Sequence, residues 1–325
     1  MAAHGYAKRV SIAVVGAGIT GCTLAYTLAK HGHRVTLIEA DRRAASALPF
    51  ALLNPYRGRS AQASSYDLKG LRAMWQLIAE LEALGLDHGA SRCGALRIAD
   101  SARQAKLWQQ RQGARWEQPP RPYHAPYGGL FIPEGGYVVP GRLLRALVTA
   151  AERYGATVIE NCRVTALAED PLGLNTSQGI IEAEQVLLCT GAEITPGLPT
   201  PALARIAGEV ISLKANPIPL PYPLAGAVYS GEFEGTVYVG GNHRPAEQHD
   251  PGAADKLQQA ISWFIPPLRH AQRYAVWSGV RARAEGGLPV IHTVRPGVIY
   301  VGAMAGRGFL AAAEVASAVA DALAE

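Results

Sequence analysis

The sequence predicts an α/β fold in two interleaved parts, one built on a parallel sheet and the other on antiparallel strands. Three observations predict it. The stretch "IAVVGAGITG" (Ile12 to Gly21) runs from a β-branched segment straight into glycines spaced G-x-G-x-x-G, the pattern of a strand turning tightly into a helix. Glycine-turn segments of the same kind recur in the middle of the chain ("VLLCTGAE") and near its end ("AMAGRGF"). Between them lie stretches that alternate apolar and polar residues as antiparallel strands do.

The elements follow in order. Ser11 to Val15 reads as a buried parallel strand, Thr20 to His31 as a helix closed by Gly32, and Arg34 to Ala40 as a second strand, completing a βαβ unit. Gly70 to Leu84 carries Leu71, Met74, Trp75, Ile78 and Leu81 at helical spacing. Prolines crowd Pro119 to Pro126 and Asn216 to Pro223, which marks both as loops or crossings. A helix is expected from about Gly141 to Tyr154, ended by Gly155 and followed by a strand, and another buried strand from Val186 to Cys189. "GAVYSGEFEGTVYVGGNH" alternates like a hairpin about Glu234-Gly235. From Phe309 a last helix sets Phe309, Ala313, Ala316, Ala320 and Leu323 on one stripe. Residues 1–75, 138–204 and 275–325 then form the discontinuous Rossmann-like domain, and 76–137 with 205–274 the substrate domain.

Composition narrows the class. The chain has 325 residues, 49% hydrophobic and 18% charged, as ordinary globular proteins do. Its net charge of +5 is dispersed, without a lysine or arginine run. Cys22, Cys93, Cys162 and Cys189 form no C-x-x-C pair, which speaks against a zinc site or disulfide framework and fits a cytoplasmic protein. No metal is expected. Val10 to Ala29 is long enough to suggest a membrane span, but its glycines, Thr20 and Thr27 fit strand, turn and helix better. "MAAHGYAKR" is too short and polar for a signal peptide.

The glycine loop carries the first chemistry. Gly16 permits the turn, Gly18 lets backbone approach a phosphate, and Gly21 lets helix pack on strand. The amides of Ile19 and Thr20 then present the positive end of the helix to a pyrophosphate. Glu39 closes the second strand eighteen residues past Gly21, where an acid accepts hydrogen bonds from a ribose. This disfavours a 2′-phosphate and leaves NAD and FAD open.

The order of the fingerprint, "EGGYVVPGRLLRALVTAAERYG", "VLLCTGAE", "GVRARAEGGLPVI" and "AMAGRGFLAAAEVASAVADAL" resembles that of the D-amino acid oxidase-like FAD-dependent oxidoreductases, the group of glycine and sarcosine oxidases. "GVRARAEGGLP", "AGRGF" and "VYSGEFEGTVYVGGNH" are most similar to the FAD domain of the bifunctional enzyme that matures 5-methylaminomethyl-2-thiouridine in tRNA. The resemblance implies FAD, held non-covalently because no cysteine follows Cys189. It places Glu39 at the ribose, Arg42 and Arg43 beside the adenosine half, and Val164 at the adenine through its backbone. Thr190 and Gly191 would pass near the pyrophosphate, and Asn54 and Pro55 near the flavin. Amides of Gly306, Arg307, Gly308 and Phe309 would face the flavin's pyrimidine carbonyl.

For the reaction, the resemblance implies oxidation of a C–N bond next to a carboxylate, with hydride transfer to flavin and hydrolysis of the imine. Arg281 occupies the position that grips the substrate carboxylate, suited to it by its planar fork. Tyr229 and His243, on and after the hairpin, are expected substrate contacts, and Arg307 acts at flavin or substrate. Two positions depart from the pattern: Gly286 stands where an acid is usual, and His292 where a glycine is. Three readings remain open: a small amino acid or amine oxidase, a tRNA wobble-uridine carboxymethylaminomethyl oxidoreductase, and a flavin-binding protein without turnover.

Overall fold

The computed structural model describes residues 9–40, 45–214 and 218–324. Strand β1 (Ser11–Val15), helix α1 (Ile19–Lys30) and strand β2 (Arg34–Ile38) form the opening βαβ unit. The chain continues through β3 (Tyr56–Arg57), α2 (Ser65–Ala83) and β4 (Ala95–Ile98). Next come α3 (Pro140–Arg153), β5 (Thr157–Ile159) and β6 (Gln185–Leu188). The long strand β7 (Ala204–Lys214), the hairpin β8 (Tyr229–Phe233) and β9 (Thr236–Gly240), and helix α4 (Ala253–Phe264) follow. The chain closes with β10 (Arg273–Arg283), β11 (Val290–Arg295), β12 (Val298–Gly302) and α5 (Gly308–Ala324).

Six strands form one sheet in the order β5-β2-β1-β6-β12-β11, parallel except for the antiparallel edge pair β11 and β12. Alternation on β1 explains why both faces of this sheet are covered. Ile12 and Val14 point into a core shared with α1, α2, α3 and α5. Ala13 and Val15 point into a second core, under the three-stranded meander of Val164–Glu169, Leu172–Thr176 and Gly179–Glu182. Helices α1 and α5 pack closely, as do α2 and α5; a Cβ on Gly70 would lie 2.7 Å from the Leu310 carbonyl oxygen, so glycine sets that approach.

The other main sheet is antiparallel, ordered β8-β9-β7 with β10 along β7 in the register Ala204↔Arg283 to Leu213↔Arg273. Its core joins Ile211, Leu213, Val237 and Val239 to Leu96 and Ile98 of β4 and to Leu257 and Ile261 of α4.

The expected elements exist, with shifted ends. Helix α2 starts at Ser65 rather than Gly70, because the Ser64 hydroxyl accepts a hydrogen bond from the Asp67 amide at 3.0 Å and caps an extra turn. Strand β2 stops at Ile38 and not Ala40, where the Glu39 amide donates to the Ile159 carbonyl at 2.9 Å. The hairpin turns at Glu234 and Gly235, both at positive φ, and Pro119 to Pro126 is irregular. Among the described residues no helix is long and apolar enough to cross a membrane, and no three histidine, cysteine, aspartate or glutamate side chains are grouped to hold a metal.

Candidate functional site

At the carboxyl ends of β1 and β6 the sheet order reverses, the place where open α/β sheets bind ligands. Gly16 has φ +101°, and a Cβ there would sit 2.7 Å from the Cys189 carbonyl oxygen. A Cβ on Gly21 would run into the carbonyl oxygen of Gly16. Gly18 caps α1 without a side chain, and the Ile19 amide donates to the Ser46 hydroxyl at 2.9 Å. The Thr20 and Gly21 amides, inside the first turn, have no intrahelical acceptor. Glu39 Oε2 accepts from the Ala17 amide at 2.9 Å, so the acid lies at the loop itself. Its carbonyl accepts from the Cys162 amide at 2.8 Å, which brings the strand beginning at Val164 alongside; the Val164 side chain is core.

Two remote segments complete this end. Thr190 follows Cys189 against Gly16, and its hydroxyl oxygen is buried without a hydrogen-bond partner. Gly191 has φ +62° and open space where a Cβ would be. Gly308, first residue of α5, places a Cβ direction 3.2 Å from the Ile19 side chain, so the starts of the first and last helices abut. Phe309 is buried in the helical core. Asn54 folds back on its own turn, donating to the Tyr56 carbonyl and accepting from the Tyr56 amide, both at 3.0 Å, with Pro55 between them. Arg42 and Arg43 lie outside the described residues.

The opposite wall comes from the antiparallel sheet. Arg281 Nη1 donates to His243 Nε2 at 3.1 Å, and Nη2 to the Asn242 carbonyl at 3.2 Å. A Cβ on Gly208, across the register, would collide with this guanidinium, so glycine makes its room. His243 Nδ1 donates to the Gly241 carbonyl at 2.7 Å, which leaves Nε2 as the acceptor for Arg281. Burial, then the neighbouring Arg281, holds this imidazole below its usual pKa, so it stays neutral. Tyr229 lies over Gly240, its hydroxyl 3.4 Å from the Phe50 carbonyl, and burial pushes its phenol up against the opposing pull of Arg281.

Arg307 is held differently. Its Nε donates to Asp67 at 2.8 Å and its Nη1 to the Gly287 carbonyl at 2.5 Å. Asp67 is only 2% exposed, and its second oxygen accepts from Ser64 at 2.6 Å. The turn ahead of α5 is tied to β10 by the Ala305 amide donating to the Ala282 carbonyl at 2.9 Å. Gly286 occupies a turn at φ +77°, where an L side chain is strained, and His292 is exposed at the sheet edge.

Several residues of this site carried no local signal. Arg57 donates to the Gly306 carbonyl at 3.1 Å and faces the same space. Burial first, and then Arg307, holds its guanidinium below the usual arginine range. Arg97, 6% exposed, donates to the carbonyls of Tyr56 at 2.6 Å and Gly58 at 2.7 Å, on either side of Arg57. Burial lowers its pKa to about 10. Asn242 bonds Glu209 through its side chain while its carbonyl takes Arg281. The Ser64-to-Asp67 cap was legible as an S-x-x-D box; Arg57, Arg97 and Ser46 had no pattern of their own.

A glycine-built crevice at the switch point of the parallel sheet, joined through the turn before α5 to arginine, histidine and tyrosine of an antiparallel sheet, is the architecture of a two-sheet nucleotide-binding protein. Residues 11–322 match the DAO family of FAD dependent oxidoreductases, and the chain belongs to that family. It is similar to glycine oxidase of Geobacillus kaustophilus, 26% identical over 89% of this chain and 86% of that one. The crystal structure of glycine oxidase from that organism superposes with a TM-score of 0.82, covering 97% of this chain and 94% of that one. It is also similar to the tRNA 5-methylaminomethyl-2-thiouridine biosynthesis bifunctional protein of Pseudomonas aeruginosa, 31% identical over 65% of this chain. The match spans only 34% of that longer protein.

The residues present fit FAD. The partnerless Thr190 hydroxyl beside Gly16, the side-chain-free approach at Gly18 and the open helix start at Thr20 and Gly21 suit a pyrophosphate.

Proposed function

We propose that this enzyme oxidises a C–N bond next to a carboxylate in a small amino acid or amine. The observation that carries the reading is Arg281, a half-buried cation held by Asn242 and a neutral His243, with no carboxylate partner among the described residues. FAD, when bound, supplies the hydride acceptor, held non-covalently by Gly16, Gly18, Ile19, Thr20, Gly21, Glu39 and Thr190. Arg281 grips the substrate carboxylate with the N–H groups its neighbours leave over, and so orients the α C–H. His243 keeps the fork aligned without adding a second charge. Tyr229 closes the wall beside it and contacts the substrate. Arg307, neutralised by Asp67, positions the turn that leaves the Gly306, Gly308 and Phe309 amides for the flavin, while its own amide, expected among them, is spent on the Met304 carbonyl at 2.8 Å. The substrate loses hydride and a proton, and water hydrolyses the imine to a carbonyl compound and an amine. Residues 76–137 and 205–274 serve as the substrate domain and the remaining segments as the FAD domain.

A second reading, a carboxymethylaminomethyl group on a tRNA wobble uridine, is favoured by the 31% identity to the tRNA enzyme and by the mild net positive charge of +5. Anaerobic bleaching of the flavin band separates the two. Bleaching by glycine, sarcosine, proline or a D-amino acid supports the proposal. Bleaching only by tRNA carrying that group, weakened by salt, sinks it in favour of the second.

A further inference from the structure

We infer that the substrate carries two carboxylates, one for Arg281 and a second for Arg57. This rests on the amine-oxidation reading of the same site. The two arginines come from different elements, β10 and β3, and meet at one turn. Arg57 donates to the Gly306 carbonyl at 3.1 Å, and the Ala305 amide ties that turn to Ala282, next to Arg281. Each fork is anchored only on neutral acceptors: Gly306 for Arg57, Asn242 and His243 for Arg281. Neither has a carboxylate partner among the described residues.

The acids nearby are already engaged. Asp67 is bonded to Arg307 and Ser64, and Glu209, 8% exposed, to Arg244 at 2.5 Å and to Asn242. Two half-buried guanidiniums therefore face one space without a carboxylate of their own, feeling Asp67 and Glu209 only through space, and exposed Arg283 adds a third at its rim, near Gly287. Burial and mutual repulsion both work against the Arg57 charge. A half-buried cation without a paired anion is costly, and a monoanionic amino acid would answer only one of them. Arg97 shows that Arg57 is placed rather than left free: a buried arginine, itself without a carboxylate, clamps the carbonyl on each side of it. The ligand that balances this wall is an amine with a carboxylate on each side of the nitrogen, or an N-alkylated acidic amino acid.

Sarcosine and iminodiacetate test this, because they differ by one carboxylate. With the FAD-loaded enzyme, the expected kcat/KM for iminodiacetate exceeds that for sarcosine about 10- to 100-fold, the scale of one charge-assisted pair. Arg57→Gln should bring the two within about threefold of each other, mainly by slowing iminodiacetate. An unchanged ratio in the variant, or a wild-type preference for sarcosine, overturns the inference while leaving amine oxidation standing. Bleaching by neither amine but by the modified tRNA overturns both. A second readout needs no turnover: succinate should raise the melting temperature more than acetate at equal ionic strength in the wild type, and not in Arg57→Gln. Equal shifts in the wild type overturn the inference. Should Arg57→Gln not take up FAD, Arg57→Lys carries the same comparison, with the preference reduced rather than lost.

Discussion

The glycine loop after β1 and the arginines around the turn before α5 meet at the start of that helix, yet they are specified in opposite ways. The loop works by what its residues lack. Gly16, Gly18 and Gly21 keep Cβ atoms out of places where Cys189, Ser46 and the Gly16 carbonyl already stand. Its information is steric, local and contained in one turn. The wall works by long side chains carried in from distant elements. Arg57 reaches a carbonyl 249 positions away, and Arg307 an aspartate 240 away. Cofactor holding and substrate holding should therefore fail separately.

Gly21→Ala should break the loop outright, since its new methyl meets a backbone oxygen that cannot rotate away. The expected result is protein without flavin and without activity, and a stability loss of about 1–3 kcal/mol from overpacking. The flavin-to-protein absorbance ratio and a melting curve check it. Arg281→Met should do the converse. Flavin content stays near wild type, while kcat/KM for the bleaching substrate falls about 10²- to 10³-fold, as when one partner of a buried charge pair is removed. Loss of flavin in this variant would dissolve the distinction between the two regions.

Arg97→Met probes the support beneath the wall. It takes the donor from the Gly58 carbonyl and one of two donors from the Tyr56 carbonyl, which keeps Asn54, so stability should fall by about 1–3 kcal/mol. Chemical denaturation measures this, and kcat/KM should fall with Arg57 no longer placed.

His243 is held below its ordinary pKa of 6.5 by burial and Arg281. Between its folded pKa and about 6.5 the unfolded chain therefore binds the extra proton. Its contribution to stability is complete above about 6.5 and is lost as pH falls through the folded value. His243→Gln should flatten part of the acid-side fall in melting temperature. His33, lowered by burial and by His31, adds to the slope in the same direction. A profile unchanged by the substitution would contradict the neutral assignment.

The smallest effect is expected from Glu39→Gln. It keeps an acceptor for the Ala17 amide but removes the charge, and should weaken FAD binding about tenfold or less. Fluorescence of released flavin on dilution reads it directly.

The opening βαβ unit was readable because each signal acts over a few residues. Apolar residues in Ser11–Val15, glycine spacing and Gly32 needed no distant partner. The hairpin at Glu234-Gly235 was readable for the same reason. Strand β7 was not: Ala207 to Leu213 is buried without interruption, so no alternation marks it. Resemblance points to Arg281, Tyr229, His243 and Arg307; the structure brings Tyr229 and His243 to Arg281 and sets Arg307 in the turn whose Ala305 amide bonds Ala282. Arg57 and Arg97 escaped because an arginine on a short strand looks the same in sequence whether buried or solvated.

Taken alone, the sequence determined the dinucleotide loop, the acid after β2, the helices of the parallel layer and the family. Backbone sterics and hydrophobic period are properties of neighbouring residues. Only the tertiary structure decided which arginines meet, which acids neutralise them and which are left for a ligand. That outcome depends on the register of β10 against β7. A slip of one residue would turn Arg281 to the other face of the sheet, and no stretch of the chain read by itself records that register.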